Sequence, residues 1–117
     1  MSDAFRMTVG HDGPGYLLLR IEGLLDGRSV SQMLDRCASV ASQGRRLILN
    51  LSGVTMVTSS GIGGLLALVE EHGREFGNVR IAEPSAAVSA VVRVLNLDQF
   101  LVIDATEEQA VRAAEAA

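Results

Sequence analysis

The run Arg46-Leu47-Ile48-Leu49-Asn50-Leu51 constrains the fold more than any other stretch of this chain. It has the length of a strand, and its apolar residues do not alternate with polar ones, so both faces of that strand must be covered. Cover on both faces is the signature of a central strand in a parallel sheet. The sequence then continues as Ser52-Gly53-Val54-Thr55-Met56-Val57-Thr58-Ser59-Ser60-Gly61-Ile62-Gly63-Gly64-Leu65-Leu66. It passes through hydroxyl residues into a segment whose apolar positions recur at helical spacing. A strand hands over to a helix there, with small nucleophilic side chains at the junction.

The rest of the chain supplies partners for that strand. Phe5 to Val9 alternate weakly and precede the turn-forming cluster His11-Asp12-Gly13-Pro14-Gly15, after which Tyr16 to Glu22 read as a second strand. The two pair as an antiparallel hairpin. Ser29 and Gln32 have capping-box spacing and open a helix. Its buried stripe is Val30, Met33, Leu34, Cys37, Val40 and Ala41, and Gly44 caps its end. The helix after Ser60 turns Ile62, Leu65, Leu66, Val69 and Phe76 inward and Glu70, Glu71, Arg74 and Glu75 outward, with Glu70 and Arg74 at ion-pair spacing. Gly77-Asn78 closes it.

Val79 to Ala82 form a short strand, and Ser85 caps a helix with Val88, Val91, Val92 and Leu95 inward and Asn96 at its end. Phe100 to Ile103 are a last strand, and Thr106-Glu107-Glu108-Gln109 is a second capping box leading into an Ala-rich helix with Val111 inward. The order β-β-α-β-α-β-α-β-α requires crossover connections. The expectation is an α/β fold, one domain over residues 1–117. It has a mostly parallel sheet of about five strands with one antiparallel N-terminal strand, packed with about four helices.

Composition removes several function classes. The ten basic residues are all Arg, with no run longer than Arg45-Arg46, and the net charge is −4, so the footprint of a nucleic-acid binder is missing. Aromatic content of 3% with no Trp gives an aliphatic core and no stacking platform. No apolar run approaches the ~20 residues of a membrane span, and the first residues lack a signal-peptide core, so a cytoplasmic protein without membrane insertion is expected. Cys37 alone makes no disulfide and reads as a small buried apolar residue. His11 and His72 lack metal-site spacing, and His72, among charged neighbours, reads as a solvated surface residue. No metal or cofactor is expected.

In a parallel sheet the loop carrying Asp26 and the loop carrying Thr58, Ser59 and Ser60 share the edge where ligands and partners of such folds meet. Ser60 lies at or next to a helix start, where free N–H groups and the helix dipole favour negative charge. The bland reading makes Ser59 or Ser60 a simple N-cap. Gly61, Gly63 and Gly64 weigh against it, since each costs about 0.5–1 kcal/mol relative to Ala in a helix unless another backbone must come close. Neither G-x-x-x-x-G-K-[ST] nor G-x-G-x-x-G occurs, and Thr58-Ser59-Ser60-Gly61 is not the G-x-S-x-G of a serine hydrolase.

Gly23-Leu24-Leu25-Asp26, Asn50-Leu51-Ser52-Gly53-Val54 and Thr58-Ser59-Ser60-Gly61-Ile62-Gly63, in that order and spacing, resemble the STAS domain of bacterial anti-sigma-factor antagonists. The resemblance runs from Phe5 to the terminal helix and includes Val94-Leu95-Asn96-Leu97-Asp98-Gln99-Phe100. It implies a domain that binds an anti-sigma factor, commonly a serine kinase, and so frees a sigma factor. In that family the kinase phosphorylates the second serine of an Asp-Ser-Ser-Gly turn, which abolishes binding, and a serine phosphatase restores it. The matching acceptor is Ser60, with Asp26, Thr58, Ser59, Gly61, Ile62 and Gly63 as the partner-binding set.

The chain departs from the usual pattern at Thr58, where aspartate is typical, and at Asn50, where aspartate often ends the strand. Because Ser29 and Gln32 already supply a cap, Asp26 is freer to face a partner, with a second local cap as the other reading. Two rivals stay open: a STAS scaffold or accessory of a signalling or lipid-transport complex that carries no phosphate switch, and an enzyme acting through Ser60.

Overall fold

The computed structural model describes residues 4–40, 43–72 and 78–116. In chain order its elements are β1 (Arg6–Asp12), β2 (Tyr16–Leu25), α1 (Gly27–Cys37), β3 (Arg46–Val57), α2 (Ser59–His72), β4 (Val79–Ala82), α3 (Ala86–Leu95), a 3-10 turn (Leu97–Gln99), β5 (Val102–Asp104) and α4 (Glu107–Ala116). The sheet order is β1-β2-β3-β4-β5, antiparallel between β1 and β2 and parallel thereafter. This is the expected architecture. No helix among the described residues is long and apolar enough to cross a membrane.

Each new parallel strand is added on the same side of the last, so crossovers of one hand place α1, α2 and α3 on one face. The strands alternate to match. Leu17, Leu19, Ile21, Leu47 and Leu49 meet Val30, Met33, Leu65, Leu68 and Val88 on that face. Tyr16, Leu18, Ile48 and Ala82 meet Ala110 and Ala114 of α4 on the other. Double cover is what the apolar run of β3 demanded.

β3 is longer than its apolar run, continuing to Val57 beside β2 through register shifts between Arg20 and Glu22 and between Gly23 and Leu24. Asn50 is 5% exposed; its Nδ2 donates to Glu107 Oε1 at 2.9 Å, and its Oδ1 accepts from Ser52 N at 2.9 Å. An aspartate could not make the first of these bonds, which gives Asn50 a physical reason. Glu107 is also gripped by the guanidinium of Arg20 at 3.0 and 2.9 Å, and this tie anchors the start of α4. Thr106 Oγ1 accepts from Gln109 N at 3.1 Å, as a cap should.

Five expectations are corrected. The N-cap of α1 is Asp26, whose Oδ1 accepts from Ser29 N at 2.9 Å; Ser29 is a buried first-turn residue whose single hydroxyl proton is shared between Leu24 O at 2.6 Å and Asp26 Oδ1 at 2.9 Å. The helix stops at Cys37, well before Gly44. His72 is half-buried and bridges two carbonyls, Nδ1 lying 3.1 Å from Leu68 O and Nε2 3.0 Å from Cys37 O, so it joins the ends of α1 and α2.

Leu95 is 54% exposed, because α3 covers the sheet with Val88 and shares Val91 and Val92. Phe100 lies outside β5: Asn96, left-handed at φ 53°, turns the chain into the 3-10 segment, where Leu97 and Leu101 fill the core and Phe100 points out, 62% exposed. Ala41, Arg74, Glu75, Phe76 and Gly77 lie outside the described residues.

Two glycines set the position of α2. A Cβ on Gly61 would lie 2.1 Å from Leu25 O, and one on Gly64 would lie 2.9 Å from Val30 Cβ. Only glycine lets the first turns of α2 sit against the β2–α1 loop and against α1. Gly61→Ala is expected to destabilise the fold by about 2–3 kcal/mol through this overlap. Thermal denaturation should show a Tm lower by at least ~8 °C.

The Arg20 guanidinium and the Asn50 amide beside Glu107 hold its carboxyl below the ordinary glutamate range, Arg20 contributing most. A depressed folded pKa adds stability that is present above the unfolded value and lost as pH falls through the folded one. The wild type should therefore lose more Tm between about pH 6 and about pH 3 than Glu107→Gln does, as read by calorimetry.

Candidate functional site

β2 and β3 end side by side, and each runs into a helix, so two helix N-termini meet at one sheet edge. The junction is knit by short bonds. Thr58 N donates to Leu25 O at 3.0 Å, tying the second turn to the end of β2. Thr58 is the N-cap of α2: its Oγ1 accepts from Gly61 N at 3.0 Å and its carbonyl from Ile62 N at 3.0 Å. Neither Ser59 nor Ser60 performs that role. They occupy the first two helical positions and both are exposed.

Ser60 Oγ lies at the meeting point. It accepts from Gly27 N, the first residue of α1, at 3.2 Å, and shares a hydrogen bond of 3.0 Å with Thr58 Oγ1. The hydroxyl is thus exposed yet fixed, and the positive ends of two helix dipoles converge on it. No histidine approaches it. His72 sits at the far end of α2, and His11 stacks on Tyr16, ring centroids 4.2 Å apart, at the opposite end of the sheet. Among the described residues no group of three or more His, Cys, Asp or Glu could hold a metal ion.

The seven residues singled out in the sequence fall together on this edge, in two layers. Ser59, Ser60 and Gly63 face solvent, Asp26 and Thr58 are half-buried, and Gly61 and Ile62 are buried. Asp26 is committed to the α1 cap, and the Ser29 amide and hydroxyl hold its carboxyl below the ordinary aspartate range, the amide contributing most. Of the two readings of Asp26, the local cap is the one the structure shows. Of the three glycines that open α2, Gly63 is the one without an internal reason, since a Cβ there would meet nothing within 4 Å.

Sequence reasoning missed the amide of Gly27, because a backbone donor leaves no signature in side chains. It also missed the apolar surface beside the turn, where Met56 is 51% and Val94 73% exposed.

Comparison with known proteins bears on the fold and the family. An anti-sigma F factor antagonist of Lysinibacillus sphaericus is 31% identical over 97 residues, covering 81% of this chain and 82% of the relative. Among solved structures, an anti-sigma factor antagonist from Mycobacterium paratuberculosis superposes with a TM-score of 0.80 at 22% identity, over 98% of this chain and 99% of that one. The Bacillus cell fate determinant SpoIIAA in its phosphorylated form gives a TM-score of 0.64 at 26% identity, over 93% of this chain and 97% of that one. The STAS domain family matches residues 6–110, and the chain belongs to that family.

Proposed function

We propose that this chain is a cytoplasmic anti-sigma-factor antagonist without enzymatic activity. It binds a serine-kinase-type anti-sigma factor through the edge carrying Asp26 and Thr58 to Gly63, and so releases a sigma factor. Phosphorylation of Ser60 by that kinase switches binding off, and a serine phosphatase restores it. The observation that carries the reading is the Ser60 hydroxyl, exposed and held between Gly27 N and Thr58 Oγ1. The name of the Lysinibacillus relative and the phosphorylated state of the Bacillus structure support it.

Among the described residues the neighbours of Ser60 Oγ include no base, which weighs against its acting as an enzyme's nucleophile. A protein kinase brings its own catalytic aspartate to accept the hydroxyl proton, so phosphorylation needs none here. Threonine and aspartate are both good N-caps, and Thr58 fulfils the capping role that an aspartate would. A phosphoryl group adds roughly −1.5 to −2 charges and three acceptor oxygens, and two helix N-termini accommodate that charge within the fold. The cost falls on the partner surface, by repulsion and bulk.

Thr58 also favours a second reading, an unswitched STAS scaffold or accessory subunit, because among the described residues no carboxylate hydrogen-bonds to Ser60 Oγ. Intact mass after incubation with candidate kinases and ATP separates the two: a single added phosphoryl group lost in Ser60→Ala supports the switch, and unmodified protein supports the scaffold.

Ser60→Asp should weaken binding to the anti-sigma factor at least ~10-fold while moving Tm by under ~2 °C. Unchanged affinity, read by calorimetric titration, would rule the switch out. Gly63→Ala should stabilise the isolated chain by about 0.5–1 kcal/mol, as expected for an open helical position, yet weaken partner binding. A stabilised variant that binds as tightly as wild type would remove Gly63 from the interface.

A further inference from the structure

The glycine seam that draws α2 against α1 leaves the opposite flank of α2 open toward α3. A groove of about 430 Å3 lies there, with Val57, Thr58, Ser59 and Ile62 on one side and Val91 and Val94 on the other. A second hollow of about 420 Å3 continues along α2 past Leu66 and Val69 to Phe100, and ends at Glu70. Val94 is 73%, Leu95 54% and Phe100 62% exposed along this line. Scattered exposed apolar residues are ordinary in soluble proteins, but a contiguous apolar strip beside a charged rim marks an interaction surface.

We infer that this groove seats an amphipathic helix of the anti-sigma-factor partner, which sets aliphatic side chains into the groove and a basic residue against Glu70. The inference rests on the antagonist reading above and extends that interface from the hydroxyl turn along α2. Three observations select the occupant. The groove begins at Thr58 and Ser59, so it is continuous with the surface that Ser60 occupies. Its walls are the helices α2 and α3, whose backbones are already bonded internally, so an added strand finds no ladder to extend while a helix needs only side-chain contacts. Its far end carries the carboxylate of Glu70, which complements a lysine or arginine on the incoming helix.

The occupant also explains how one phosphoryl group acts at distance from most of the contact. Ser60 does not itself line the groove; its phosphoryl group would stand beside the near end that Thr58 and Ser59 form.

Val94→Asp and Leu95→Asp place carboxylates on exposed positions, so Tm should move by under ~2 °C. Titrated against a purified serine-kinase-type anti-sigma factor of the same genome that wild type binds, each should weaken affinity at least ~10-fold, and Glu70→Lys about 3- to 10-fold. Hydrogen exchange should show the amides of Ala90 to Leu95 protected in the complex. Unchanged affinity of Val94→Asp, beside a Ser60→Asp that no longer binds, overturns the groove and leaves the antagonist reading standing. Wild type that binds none of the genome's anti-sigma factors overturns that reading itself. A wild-type dimer that Val94→Asp dissociates also overturns this inference, because a second copy then fills the groove.

Discussion

The contact on which the rest of this structure depends is the approach of the first turn of α2 to the carbonyl of Leu25. At that point the backbone of one β-to-α turn rests on the other, and Thr58 N donates to the same carbonyl oxygen. Everything at the sheet edge inherits its position from this closeness. The amide of Gly27 reaches Ser60 only because the two turns touch. α2 leans on Val30 of α1 through Gly64, and so opens away from α3. One pair of small residues therefore sets both the hydroxyl geometry and the apolar groove beside it.

Capping carries the local electrostatics. Asp26 spends a carboxylate oxygen on the α1 start, and Thr58 spends a hydroxyl on the α2 start. Neither helix needs a further anion at its N-terminus, which leaves the dipoles available to a charge on Ser60. The same division holds across the sheet, where Asn50 and Arg20 tie down Glu107 and leave the hydroxyl edge out of that network.

The architecture was readable because its signals are redundant. The doubly covered run of β3, the helical stripes between strands and the turn residues of the first hairpin agree on one topology. Caps were harder. Ser29 fits a capping box in sequence, yet Asp26 lies one turn earlier and wins, because an ionised oxygen is the stronger acceptor. Leu95 and Phe100 fit the apolar pattern but lie where the helices splay or the chain turns through left-handed Asn96, a tertiary effect that periodicity does not encode. For the site, side-chain motifs located Ser60 and its neighbours, and the silent backbone donor at Gly27 emerged only in three dimensions.

The unequal length of the strands has a mechanical meaning. β4 pairs with β3 only from Leu47 to Asn50, whereas β3 and β2 run on together to Val57 and Leu25. Past Gly53, level with the last β1 pair of Arg6 and Glu22, the strand layer narrows to a two-stranded ribbon of four residues, Val54 to Val57, about 13 Å of chain at ordinary strand rise. The hydroxyl turn is thus carried on a cantilever that projects past the third strand. A binding partner can close around it from more than one side, and a small chemical change at its tip meets the partner before the body of the domain does.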